Sequence, residues 1–146
     1  MKIKISKKYY NGKISNDAPI YRAILFDFEN NTLTLESEQY GDITTKNYGK
    51  TENKEILNLS KFLNEEQKTI VANFAKSIQD SYKEEYFENR VPNTLSYVKV
   101  EVDEAIYKFG NIKCKEEYYK DVVSKLSAIV SQIESPENII KLILDF

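Results

Sequence analysis

Acidic side chains recur two residues apart in segments that alternate apolar and polar residues. The pairs are Asp27 with Glu29, Glu36 with Glu38, and Glu101 with Asp103. In a strand, residues two apart point to the same face, so each pair could hold a divalent cation or serve a glycosidase. A solvated strand face produces the same spacing, and we interpret the pairs in that way.

Asp42, Glu52 and Lys54 form a second candidate site. Glu52 and Lys54 resemble the acid-x-lysine end of a metal-dependent nuclease site, where carboxylates would hold Mg²⁺. The spacing is loose, and Gly41 with Asp42 is also the signal of a tight turn. A small metal-dependent nuclease or hydrolase is therefore our alternative hypothesis for the function.

The chain lacks several residues on which catalysis commonly depends. It contains no histidine, one cysteine (Cys114) and four scattered glycines. Histidine is the side chain most used for acid-base work at neutral pH and for binding transition metals. One cysteine excludes an internal disulfide and a cysteine-rich zinc site, and the glycines do not form a phosphate-binding loop. We predict no enzymatic activity, no metal and no cofactor.

Composition is that of an ordinary globular protein. The chain has 146 residues, of which 41% are hydrophobic and 30% charged, with a net charge of -2. We expect one α+β domain over residues 1–146, because a chain of this length can bury a sizeable core. The balanced charge gives no reason to expect a nucleic-acid partner. The longest apolar runs fall short of a membrane span, and the first residues lack the apolar core of a secretory signal, so we expect a cytoplasmic location.

Two segments have the apolar spacing of amphipathic helices. The first is predicted over residues 64–89, with Asn64 as its cap, Gln67 as its capping-box partner and an end enforced by Pro92. Its apolar stripe comprises Ile70, Val71, Phe74, Ala75, Ile78 and Tyr82. The second is predicted over residues 115–134. Residues 137–146 fit either a short helix or a strand.

Alternating segments predict the strands of a sheet. The first strand is expected over residues 2–9. In the next hairpin, a turn at Asn30-Asn31 would place Phe28 opposite Leu33 and Phe26 opposite Leu35. Residues 43–48 would return beside 34–39 as an edge strand, and 49–54 read as a turn. A second hairpin, turning at residues 103 and 104, would oppose Val98, Val100 and Val102 to Phe109, Tyr107 and Ala105.

These elements predict a two-layer α+β fold. A mostly antiparallel sheet, formed by an N-terminal meander and a second hairpin, would pack against the two main helices. The N-terminal strand also carries a basic stripe, with Lys2, Lys4, Lys7, Lys8 and Lys13 and no acidic residue among them. We interpret the stripe as protection of an exposed edge strand against aggregation.

We expect the sheet face opposite the helices to be the working surface. It would carry Tyr21, Leu25, Asp27, Thr34 and Glu36, which alternate with inward-facing apolar residues. Tyrosine, of which the chain has 11, suits protein interfaces. The favoured function is a small non-enzymatic protein that binds a partner protein stoichiometrically, as an inhibitor, immunity protein or phage-type counter-defence factor. A structural or assembly subunit is a further alternative, and the sequence leaves a homo-oligomer open.

Overall fold

The computed structural model of the protein describes residues 1–9, 20–40, 50–83, 97–109 and 116–132. Within them, six strands form one antiparallel sheet that does not close on itself, and two helices complete the α+β fold predicted from the sequence. The strands are β1 (Lys2–Tyr9), β2 (Ile20–Asp27), β3 (Thr32–Tyr40), β4 (Lys50–Asn58), β5 (Tyr97–Val102) and β6 (Ala105–Phe109), and the helices are α1 (Glu65–Ser81) and α2 (Glu116–Gln132). Their order across the sheet is β4-β3-β2-β1-β5-β6.

Both helices pack on the same face of the sheet, where one core joins them to the strands. The strand residues that point into this core include Ile3, Ile5, Ile24, Phe26, Leu33, Val98, Val100, Val102, Tyr107 and Phe109. The helices add Val71, Phe74, Ala75, Ile78, Val122, Leu126 and Ile129. Each large apolar side chain buried in this way contributes about 1.5–3 kcal/mol relative to exposure. The apolar stripes of the two helices therefore fix the helix layer.

Helix α1 begins as its sequence predicts. The Asn64 side chain accepts a hydrogen bond from the Gln67 backbone N–H at 2.8 Å, and the Gln67 side chain accepts one from the Asn64 N–H at 3.0 Å. This reciprocal pair is a capping box, which satisfies two donors that would otherwise lack partners. Glu65 and Glu66 lie in the first turn, where their negative charges interact favourably with the positive end of the helix dipole.

The predicted end of this helix is wrong, because α1 stops at Ser81 and not near residue 89. Tyr82 has extended backbone angles, and its ring packs edge-to-face against Phe109 and Tyr118 at centroid distances of 5.2 and 5.1 Å. The Tyr82 hydroxyl donates a hydrogen bond to Asp121 on α2. Tertiary contacts thus override a helical pattern that the sequence continues. Residues 84–89 lie outside the described part of the chain.

The hairpin of β5 and β6 has the predicted register. Val98 lies opposite Phe109, Val100 opposite Tyr107 and Val102 opposite Ala105. Asp103 in the turn adopts a positive φ of 52°, which aspartate tolerates better than most residues. This two-residue turn and the valine alternation agree, so the register follows from the sequence.

The predicted register of β2 and β3 is wrong by two residues. Phe26 pairs with Leu33 and Ile24 with Leu35, because the connecting turn contains four residues and not two. The Asp27 carboxylate accepts hydrogen bonds from the Asn30 backbone N–H at 3.1 Å and from its side-chain amide at 2.9 Å. These bonds favour the longer turn. A shift of two residues leaves every side chain on its predicted face, so the core is unaffected.

The partner of β3 on its outer side is also different from the prediction. Strand β4 pairs with the whole of β3, with Glu36 opposite Lys54 and Leu33 opposite Leu57. That position was predicted for residues 43–48, which lie outside the described part of the chain, and residues 50–54 are strand and not the predicted turn. Of the apolar residues in β4, Leu57 packs against the core and Ile56 is exposed, so this strand has little apolar alternation to reveal it. Residues 41–49 themselves are outside the described part.

Several further predictions concern residues outside the described part of the chain. The loop over residues 11–19, the ends of the second predicted helix at residues 115, 133 and 134, and the segment 137–146 are all outside the described residues. The described part of that helix, Glu116–Gln132, matches its prediction.

Candidate binding surface on the open face of the sheet

The face of the sheet opposite the helices, which we call the open face, carries alternate residues of all six strands. Strand β1 lies at its centre, paired with β2 on one side and β5 on the other. The interpretation of its lysines as edge protection is therefore wrong. Lys4 and Lys8 project from the middle of the open face, while Lys7 lies on the helix side, in register with Val98.

One line of paired residues crosses the open face from edge to edge. This line, the cross-sheet row, consists of Ile56, Thr34, Leu25, Lys4, Glu101 and Ile106 in successive strands. Within the described residues, the large apolar side chains that are exposed are Met1 (41%), Ile56 (64%) and Ile106 (36%). Two of these three stand at the ends of the row. Half-buried Leu25 lies near its middle, beside a cavity of about 130 Å³.

The next line of residues has small side chains at its centre. Ala23 and Ser6 lie side by side in β2 and β1, and each is 1% exposed although neither of the two described helices covers this face. Longer neighbours rise around them and form a cavity of about 380 Å³, which we call the tyrosine pocket. The pocket is lined by Lys4, Lys8, Tyr21, Glu36, Glu38, Tyr97 and Lys99.

Two tyrosines face each other across β1 in this pocket. Lys8 lies opposite Tyr21 in β2 and opposite Tyr97 in β5, so the three form one line across the central strands. Burial raises the pKa of the Tyr21 phenol, an effect that the nearby Lys4 ammonium partly offsets. Burial also raises the pKa of Tyr97, with Tyr21 and Glu101 adding to the effect. Both phenols therefore stay protonated at neutral pH and can donate hydrogen bonds.

Lys4 links the pocket to the cross-sheet row. Its Nζ lies 3.2 Å from Glu36 Oε2, and both side chains are about three-quarters buried, with 28% and 25% exposed. Burial opposes the charge on Lys4, but Tyr21 and Glu36 outweigh it and raise the pKa of the ammonium. Lys4 therefore carries its positive charge, and its salt bridge with Glu36 offsets one lysine and one glutamate of the pocket.

Positive charge remains on the β5–β6 side of the pocket. Lys99 lies directly opposite Lys108, an arrangement of like charges that destabilises a strand pair. Lys108 Nζ sits 4.3 Å from the centre of the Tyr97 ring. Burial lowers the pKa of Lys108, and Lys99 and Lys8 lower it further. Glu101 offsets part of this charge, since its carboxylate is 4.0 Å from Lys99.

Three of the four predicted site residues share this accessible surface, and the fourth has a structural role. Tyr21 and Glu36 line the tyrosine pocket, and Leu25 lies in the cross-sheet row. Asp27 is on the same face but has a side chain only 9% exposed. Hydrogen bonds from the side chain and backbone of Asn30 lower its pKa, so its carboxylate serves the β2–β3 turn.

The residues of the alternative nuclease hypothesis do not form a described metal centre. Glu52 and Lys54 lie on the open face of β4 and are exposed, while Asp42 is outside the described residues. Across the described ranges, no group of three or more acidic, histidine or cysteine side chains is placed to hold a metal ion.

Described residues also line cavities away from the open face. One of about 550 Å³ lies between the β2–β3 turn and the start of α1. Its polar groups bond to one another: Ser60 donates to Asn31 at 2.9 Å, and Lys68 donates to both Ser60 and Glu65 at 3.0 Å. Another, of about 310 Å³, is an apolar groove between α1 and α2 that ends near Gln132, the last described residue.

Sequence reasoning did not find the contribution of β5 to the site. Tyr97 and Lys99 reach the pocket because β5 pairs with β1, across about ninety intervening residues. The alternation of β5 predicted which of its residues face away from the core, but only the pairing partner brings them beside Tyr21.

No protein-family model matches the sequence, and comparison with curated proteins finds no similar sequence. In the part of the chain that the structure describes, neither helix is long and apolar enough to cross a membrane.

Proposed function

We propose that the protein is a non-enzymatic binding module that holds a partner protein stoichiometrically on the open face. The observation that carries this proposal is the cross-sheet row, in which exposed Ile56 and Ile106 and half-buried Leu25 align across the sheet. Apolar side chains surrounded by tyrosines and charged groups have the composition of a protein interface.

The dimensions of the open face suit such an interface. Six strands spaced about 4.8 Å apart give the row a length of about 24 Å. A standard interface buries about 800 Å² on each partner, and a patch of that area is about as wide as the cross-sheet row is long. The partner would place apolar side chains along the row and polar groups over the tyrosine pocket.

This surface fits the class of inhibitors, immunity proteins and phage-type counter-defence factors. Such proteins act by occupying a surface of another protein, so they need complementary shape and charge and no catalytic group. A metal-dependent nuclease receives no comparable support, because Glu52 and Lys54 are exposed strand residues without a described metal centre.

The test compares two triple variants in a quantitative capture from the native host. The row variant carries Leu25→Ser, Ile56→Ser and Ile106→Ser. The control carries Lys76→Ser, Gln79→Ser and Ala128→Ser at exposed helix positions, away from the open face. The supporting result is a protein recovered in a fixed molar ratio by the wild type and the control, and lost with the row variant.

Binding is then measured with the purified pair. Anchor residues of an interface typically contribute about 2 kcal/mol or more, so the row variant should bind at least about 30-fold more weakly. Circular dichroism must show that the row variant keeps its fold. Binding of the folded row variant within twofold of the wild type would overturn the proposal.

A further inference from the structure

Beneath the side chains that line the tyrosine pocket, between Lys4 and Lys8 along β1, lies the hydroxyl group of Ser6. Ser6 is 1% exposed, and within the described residues its Oγ makes no hydrogen bond of ordinary length and angle, although an interaction with the Tyr21 hydroxyl lowers the pKa of that phenol. A buried hydroxyl without a full hydrogen bond destabilises the fold, which is why such groups are rare. One that lies beneath a cavity is satisfied when a ligand supplies an acceptor.

The pocket offers many donors and few acceptors on its β1–β5 side. Lys8 and Lys99 present ammonium groups there, with Lys108 close behind Tyr97, and the two phenols and the Ser6 hydroxyl can also donate. On the opposite side, the carboxylate of Glu36 is already occupied by Lys4. A ligand that fits this surface accepts hydrogen bonds and carries negative charge.

We propose that the tyrosine pocket binds the carboxylate of an acidic side chain, Asp or Glu, presented by the partner protein. This inference rests on the proposed function and names the chemistry of its central polar contact. The carboxylate would lie between Lys8 and Lys99, accept from the Tyr97 hydroxyl, and offer an acceptor to Ser6.

Charge and size favour a side-chain carboxylate over a phosphate group. Glu36 and Glu38 form the far wall of the pocket, and two carboxylates would repel a dianion more strongly than a single negative charge. The volume of about 380 Å³ is near the lower limit of ligand pockets, which suits one or two side chains. An ionised carboxylate is also an acceptor only, so it matches a wall of donors.

The experiment is a titration of the ¹⁵N-labelled protein, followed by NMR through the amide signals of Ser6, Tyr97 and Lys99. The probes are acetyl-Gly-Glu-Gly-amide, its Gln counterpart and inorganic phosphate. We expect saturable shifts of these signals with the Glu peptide, with at least fivefold weaker binding of the Gln peptide. Because the contact is electrostatic and partly exposed, raising the salt concentration should weaken it.

Matched variants separate the pocket from a general charge effect. Lys99→Gln should weaken the Glu peptide at least threefold, while Lys76→Gln, which removes the same charge from the exposed side of α1, should not change binding. Ser6→Ala should also weaken the peptide while leaving the melting temperature equal or higher, because it removes a buried hydroxyl that lacks a partner.

Three results would overturn the inference. One is equal binding of the Glu and Gln peptides or no saturable shift at these amides. Another is tighter binding of inorganic phosphate than of the Glu peptide at the same amides, which would assign the pocket to a free anion. The third is Glu-peptide binding that is unchanged in both Lys99→Gln and Ser6→Ala.

Failure of this inference and failure of the proposed function give different results. If only the inference fails, capture of the partner still depends on the cross-sheet row but is unchanged by Lys99→Gln. If the proposed function fails, capture is independent of the row, whatever the peptide does.

Discussion

The two faces of the sheet are made from the same strands but differ in how their residues become buried. On the helix face, Phe26 and Ile24 are buried by the helix layer. On the open face, Ala23 and Ser6 are equally buried, although neither described helix lies there and their neighbours in the strands carry the longer side chains of the tyrosine pocket. Burial on the first face reflects a core, whereas on the second it reflects a pocket. Low exposure alone therefore does not identify a residue needed for folding.

The sharpest contrast in stability is expected between two adjacent residues of β2, Phe26 on the helix face and Leu25 on the open face. Phe26→Ala should lower the free energy of unfolding by about 3–5 kcal/mol, because it leaves a cavity in the core. For a domain of this size that corresponds to a fall in melting temperature of about 10 °C or more. Thermal unfolding followed by circular dichroism measures it. A loss below about 1 kcal/mol would show that the helix face is not the core.

Tyr82→Phe tests a polar link within the helix layer. The substitution keeps the aromatic contacts with Phe109 and Tyr118 but removes the hydrogen bond to Asp121. We expect a loss of about 1–2 kcal/mol in urea unfolding, as for a hydrogen bond to a charged group. The Asp121 side chain is 43% exposed, so water can replace part of the bond.

The same variant should change the response to acid. The hydrogen bond from Tyr82 lowers the pKa of Asp121, with a further contribution from Lys125. A carboxyl group with a lowered folded-state pKa stabilises the protein above its unfolded-state value of about 3.9, and this stability is lost as the pH falls through the folded-state pKa. Between pH 5 and 2, Tyr82→Phe should therefore lose less stability than the wild type. If the free energies of unfolding of the wild type and Tyr82→Phe fell in parallel between pH 5 and 2, the hydrogen bond between Tyr82 and Asp121 would not be the cause of the lowered pKa.

Asn64→Ala should have a smaller effect on the same layer. It removes one half of the capping box at the start of α1 and should cost about 1 kcal/mol. Asn64→Asp is the matched control, because aspartate also caps well. Equal melting temperatures for Asn64→Ala and Asn64→Asp would show that the cap contributes nothing to stability.

Leu25→Asp should have the smallest effect on folding. Leu25 is half-buried on the open face, and a carboxylate there would lie opposite Lys4. We expect the free energy of unfolding to change by less than about 1 kcal/mol, as is typical of a surface substitution. Urea unfolding measures this change. If this variant unfolds instead, another part of the chain covers the open face, and the binding surface must be sought on the helices. The described N-terminal strand is not that cover, because it lies within the sheet.

The sequence predicts the elements of this fold better than their pairing. Alternation predicts β1 and the β5–β6 register because every other residue is apolar and the turn contains two residues. It does not predict β4, in which Leu57 is the residue that reaches the core. Nor does it predict the end of α1, where the environment of the Tyr82 ring decides the backbone conformation.

The candidate site shows the same division. The faces of Tyr21, Leu25 and Glu36 follow from the two-residue period of their strands. The tyrosine pocket does not, because it requires β5 to lie beside β1, and local sequence carries no signal for that pairing. The buried state of Asp27 depends on the hydrogen bonds of a four-residue turn, which the apolar pattern alone does not reveal.

Methyl NMR of the ¹³C-labelled protein, recorded with and without the captured partner, tests most directly whether the open face is the binding surface. We predict that the methyl signals of Leu25, Ile56 and Ile106 shift or broaden on complex formation, while those of Ile24 and Ile78 in the core keep their positions. Changes that concentrate in methyl groups of α1 and α2, with the cross-sheet row unaffected, would contradict the account.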